Sequence, residues 1–111
     1  MIQGWLKAKS LDAATTGTGL AVDCYGRVAV SVYMVGAGTT SGGTIIIEEA
    51  PEATIVGTWS QLASLNASDV NSNKIQATGL PLTPGAYGYV RARISSDITG
   101  GGTITIYIIG S

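Results

Sequence analysis

Neither histidine nor phenylalanine occurs in this 111-residue sequence, cysteine occurs once, and charged residues make up only 12% of it. Each shortage closes off a class of chemistry. Without histidine, a Ser-His-Asp or Cys-His constellation cannot be built within one chain. With a single thiol as well, zinc sites of the usual nitrogen-and-sulfur type are excluded. Cys24 has no partner for an internal disulfide and no imidazole to activate it, so it reads as a small buried hydrophobe. Six basic residues against seven acidic ones leave a net charge of −1. No basic field exists to attract nucleic acid or an anionic membrane. No apolar run reaches the roughly 18 residues of a membrane helix, and "MIQGWLKAKSLDAATTG" contains no signal-peptide core. The expectation is a protein made in the cytoplasm and not exported by the classical route, with neither membrane nor nucleic acid among its partners.

The acidic residues do not restore an enzymatic reading. Glu48, Glu49 and Glu52 cluster around Pro51 and could supply a glycosidase pair, but nothing in the pattern marks them as buried, so they are expected as surface charges. Asp23, Asp69, Asp97 and Asn71 offer calcium too thin an acidic density. "GAGTTSGG" has the glycines of a phosphate loop without its Lys-Ser/Thr ending or a following helix. Asn66-Ala67-Ser68 matches a glycosylation acceptor, which a chain without a signal peptide does not bring to that machinery. No catalytic residue, metal or cofactor is expected.

What the chain does have is glycine, sixteen residues of it, and threonine interleaved with valine and isoleucine. That composition favours many short strands and tight turns. "LAVDCYG" makes a short strand. In "RVAVSVYMVG", Val28, Val30, Val32 and Met34 fall on one face and Arg27, Ala29, Ser31 and Tyr33 on the other. "AGTTSGG" is a flexible loop by composition. "TIIIEEA" points Ile45 and Ile47 inward, with Glu49 continuing that face until Pro51 stops the ladder. "ATIVGTWSQLASL" supplies one or two strands, and "LASLNASDV" is the one candidate for a helical turn. "KIQATGL" places Ile75 and Ala77 on one side, and "LPLTPGAYG" is a stiff connection between sheets. Seven or eight strands without a convincing helix argue an all-β fold, an antiparallel β-sandwich of jelly-roll type. It forms a single domain over residues 20–111, and residues 1–19 serve as an N-terminal arm or edge strand. A hydrophobic share of 45% beside so few charges also implies that partners or further copies cover part of the surface.

The last 23 residues, "YVRARISSDITGGGTITIYIIGS", read as two strands around a glycine turn. Val90, Ala92 and Ile94 form the buried row of the first, and Ile104, Ile106 and Ile108 that of the second. Tyr89, Arg91 and Arg93 therefore share the outer face. A hairpin would set Thr103, Thr105 and Tyr107 beside them. Two arginines about 7 Å apart along one strand favour a carboxylate partner, for which Glu48, Glu49, Glu52 and Asp97 are candidates. The bland reading is a solvated face with arginine stems over tyrosine rings. The functional one is a contact with another subunit. Trp5, alone with Leu6 in a polar N-terminal stretch, is either part of a first strand or an anchor on a neighbour.

The stretch "GTWSQLASL…GLPLTPGAYGYVRARISSDITGGGTITIYIIGS", residues 57–111, resembles a recurrent ending of small jelly-roll virion proteins of tailed bacteriophages. The resemblance implies a structural protein without an active site. The expected role is a capsid decoration (cement) protein that binds major capsid protein between capsomers and assembles as a homo-oligomer, with a trimer favoured. Its site would be the virion. On that reading Trp5, Tyr89, Arg91, Arg93 and Tyr107 are the interface candidates. A tail, neck or fibre-associated virion component is the nearest alternative. A carbohydrate-binding module, with Trp59, Tyr87 or Tyr89 stacked on sugar rings, is the alternative of another class.

Overall fold

β-branched residues at spacing two build two antiparallel sheets. A computed structural model of the chain describes residues 6–27, 29–54, 59–82 and 88–110. Its strands are β1 (Leu6–Ala14), β2 (Gly17–Thr18), β3 (Val22–Asp23), β4 (Ala29–Ala37), β5 (Gly42–Ala50), β6 (Ser60–Asn66), β7 (Ile75–Pro81), β8 (Tyr89–Thr99) and β9 (Thr103–Gly110). The helical candidate is a single 3₁₀ turn, Ala67–Val70. One sheet runs β1-β9-β4-β7. The other runs β2-β8-β5-β6, with β3 also on β8. The antiparallel β-sandwich agrees with the sequence reading; the strand order, which the sequence pattern does not specify, is that of an eight-stranded jelly roll when β2 and β3 are counted as one interrupted strand.

The core lies between the sheets. Val30, Val32 and Met34 of β4 and Ile104, Ile106 and Ile108 of β9 face Ile45 and Ile47 of β5 and Val90, Ala92 and Ile94 of β8, all of them buried. Each such isoleucine contributes about 2–3 kcal/mol of burial. Val28, expected in the same row, lies outside the described residues.

Three features differ from the sequence reading. The last two strands are not a hairpin, because β8 and β9 lie in different sheets. Gly100 and Gly101, with φ of 106° and 93°, turn the chain across the sandwich rather than back along one sheet. That crossing is tied to the one between β4 and β5 by Ser41 N–H to Thr99 C=O (2.9 Å) and Gly102 N–H to Thr39 C=O (2.7 Å). The "AGTTSGG" loop is accordingly not free. Thr40 is fully buried, its N–H donates to Asn71 Oδ1 and its hydroxyl to the Ala67 carbonyl, both at 2.8 Å. Composition does not register that two asparagine side chains, Asn71 and Asn73, reach this loop from the far side of the 3₁₀ turn.

The third difference concerns Glu48 and Glu49. They are buried at 3% and 2% exposure, and only Glu52 is a surface charge. Glu49 occupies the inner row opposite Val90, and Glu48 the outer row opposite Arg91. As neighbours on one strand they point to opposite faces, so they do not converge on a shared space as a glycosidase pair must.

Ser10 joins the sheets at their β1 edge. Its carbonyl accepts from Leu20 N–H at 2.7 Å. Its hydroxyl donates to the Leu20 carbonyl (2.7 Å) and accepts from Ala92 N–H (2.8 Å). The hydroxyl thus takes the place of a ladder partner for β8 in the gap between β2 and β3. Gly19 permits the approach, since a Cβ there would lie 2.2 Å from the Ser10 carbonyl oxygen.

Candidate functional site

β8 lies inside its sheet, with β5 on one side and β2 and β3 on the other. Its outer face carries Tyr89, Arg91 and Arg93, as the burial of Val90, Ala92 and Ile94 requires. The register of β5 sets Glu48 directly across from Arg91. Arg91 Nε meets Glu48 Oε2 at 2.7 Å, and Arg93 Nε meets Oε1 at 3.3 Å. One carboxylate therefore orients two guanidiniums and lies beneath them, leaving a local charge of +1. Of the four carboxylates proposed as partners, Glu48 holds both arginines.

Trp59 covers the arginine nearer to it. The Arg91 guanidinium carbon lies 3.9 Å from the centroid of the indole, a close cation–π stack. The indole is 5% exposed and its Nε1 finds no acceptor among the described residues. Stacking on Arg91 and burial hold it in place. Trp59 is thus closed off as a platform for a sugar ring, and Tyr87 lies outside the described residues. The side chain of Arg91 is 22% exposed against 38% for Arg93, so Arg93 is the one that reaches solvent.

Tyr89 extends this face toward β3. Its ring meets Tyr25 edge to face, with centroids 5.6 Å apart at 89°. The Tyr25 hydroxyl donates to the Pro51 carbonyl, leaving a half-exposed ring at the rim. Cys24, beside it in sequence, is buried. Its thiol is pushed up to about 11, chiefly by burial and further by the Asp23 charge, so it is a protonated core side chain at neutral pH and not a nucleophile.

Tyr107 is not part of this cluster. It stands on the outer face of the other sheet, across from Tyr33 and Lys9 in the ladder, with Lys7 Nζ and Lys9 Nζ at 5.2 and 5.7 Å from its ring centroid. The separation follows from the crossing between β8 and β9. Trp5 lies outside the described residues. Trp59 is the member that sequence reasoning did not place beside the arginines, whereas Glu48 was one of four candidate partners and nothing had singled it out. The outward position of Glu48, alternate to Ile45 and Ile47 once Ile46 is counted, was the available signal.

The crystal structure of SPBc2 prophage-derived protein YomS is similar to this chain, with a TM-score of 0.61 over 98% of this chain and 96% of that one, at 15% sequence identity. At that identity the likeness concerns the fold. No family profile matches the chain, and no curated protein matches its sequence.

Proposed function

We propose that this protein is a structural component of a bacteriophage virion, a capsid decoration protein that binds major capsid protein and reinforces the joins between capsomers. The observation that carries this reading is the end-to-end likeness to a prophage-derived protein, joined to the phage-like ending of the sequence. The physics of the molecule suits the role. A jelly roll is a stiff module, and a low share of charge reduces the desolvation cost of covering its faces. Many weak copies on a lattice bind by avidity. The partly exposed Arg93 and Tyr89, backed by the Glu48–Arg91–Trp59 stack, form a preordered rim for a neighbour's acidic loop.

The test is co-sedimentation of the purified protein with expanded, undecorated capsids, followed by cryo-EM of the pellet. Regular occupancy of lattice positions is the expected result. Binding confined to tails or necks moves the protein elsewhere on the virion, and absence from every virion part ends the reading.

A further inference from the structure

Sheets end in edges, and an edge strand offers a row of unpaired N–H and C=O groups to any other strand. Most edges of this sandwich are blunted. β1 carries Lys7, Lys9 and Asp12, its ladder with β9 shifts register twice, and Ala13 sits at a φ of 47°. Charges and bulges are the ordinary means of discouraging such pairing. β2 and β3 have two residues each, too few to template a strand. β6 presents exposed Ser60, Gln61, Ser64 and Asn66, and its ladder is irregular opposite Glu48.

β7 has none of these devices. Its seven residues, Ile75–Pro81, contain no charge and pair with β4 in unbroken register. Among the described residues no strand lies on its other side. The direction of its backbone groups follows from one hydrogen bond. Gly36 N–H donates to the Lys74 carbonyl at 3.0 Å, so the alternation of an antiparallel ladder turns Gln76, Thr78 and Leu80 toward β4. The backbone groups of Ile75, Ala77 and Gly79 then point away from the sheet. These residues are exposed, Ile75 by 65%. Pro81, which has no N–H, ends the row.

We propose that β7 pairs antiparallel with β7 of a second copy across a two-fold axis, joining two four-stranded sheets into one. The strand is complementary to itself. With the axis at Thr78, Ala77 faces Gly79 of the second copy and donors meet acceptors in both directions. Ile75 faces Pro81, so the missing donor falls at the end of the ladder and the exposed isoleucine gains an apolar neighbour. The small Ala77 and Gly79 occupy the middle, where the two outer faces come flush. Charge agrees with this geometry. Lys74 directly precedes the strand, and the two-fold sends the two lysines to opposite ends, roughly 27 Å apart at about 3.4 Å per residue, beyond the screening length of about 8 Å. Each copy has one such edge, so the pairing closes at two copies. It is independent of the virion reading, because it is measured on the isolated protein.

The experiment is sedimentation equilibrium of the full chain beside Ile75→Lys and Ala77→Lys, with Gln61→Lys on the β6 edge as control. The expected outcome is a dimer for the parent and for Gln61→Lys, and a folded monomer by circular dichroism for the two β7 variants. A monomeric or trimeric parent, or a dimer that survives both β7 lysines, overturns the proposal. If those variants fail to fold, hydrogen exchange on the parent decides. Slow exchange of the Ala77 and Gly79 amides that quickens on dilution supports the pairing, and fast exchange at every concentration overturns it.

Discussion

Glu48 lies beneath two guanidiniums on a face that its alternation assigns to solvent, and this arrangement divides the arginines by role. Arg91 is held by a short charge-assisted bond and roofed by an indole. Arg93 makes a longer contact and is more exposed. Removing Arg91 leaves a buried carboxylate with only the weaker partner and uncovers Trp59. Removing Arg93 leaves the stronger pair intact. In urea denaturation, Arg91→Ala is expected to destabilise the fold by about 2–3 kcal/mol and Arg93→Ala by less than about 1 kcal/mol. Equal losses would mean that the carboxylate does not distinguish its partners. The outward position of both arginines was legible from Val90, Ala92 and Ile94 alone. Their partner was not, because four carboxylates were available and the register of β5 against β8 is a long-range fact that no local spacing encodes.

β1 shows how an element can look detachable in sequence and yet be structural. "KAKSLDAATTGTG" lacks a clear period because its ladder with β9 shifts register twice, and each shift exchanges inner for outer positions. What ties the strand to the far sheet is Ser10, a polar residue that composition places at the surface and the structure buries. Ser10→Ala removes the acceptor for Ala92 N–H and a donor to the Leu20 carbonyl. Leaving a buried ladder N–H unpaired makes the expected loss about 1–3 kcal/mol, read as a shift in the denaturation midpoint at unchanged slope. A loss near zero would show that water replaces the hydroxyl and that the two sheets are not linked through it. The crossing between β8 and β9 was hidden for a related reason. A glycine run suits a hairpin and a sheet-to-sheet crossing equally well, and the hydrogen bonds that decide between them reach Thr39 and Ser41, some sixty residues back in the chain.

Across the whole molecule, the first long strand and the last are neighbours. β9 lies between β1 and β4, so among the described residues β1 has no partner in its sheet until β9 is in place, and Leu6 stands opposite Gly110. Folding must close a loop of about a hundred residues to form this ladder, the kind of long-range pairing that makes β-sandwiches slow. A circular permutant that joins Ser111 to Met1 and opens the chain at Gly101 makes the same pairing local. Between Gly110 and Leu6 it leaves six residues, Ser111 and residues 1–5. By loop-closure entropy that change is worth about 2 kcal/mol. If the β1–β9 ladder is part of the folding nucleus, stopped-flow refolding of the permutant is expected to be roughly ten-fold or more faster than that of the parent, with the same far-ultraviolet spectrum. An unchanged rate would place closure of this ladder after the rate-limiting step and move the nucleus to the other sheet, where β5 runs antiparallel between β6 and β8 and carries Ile45 and Ile47 into the core.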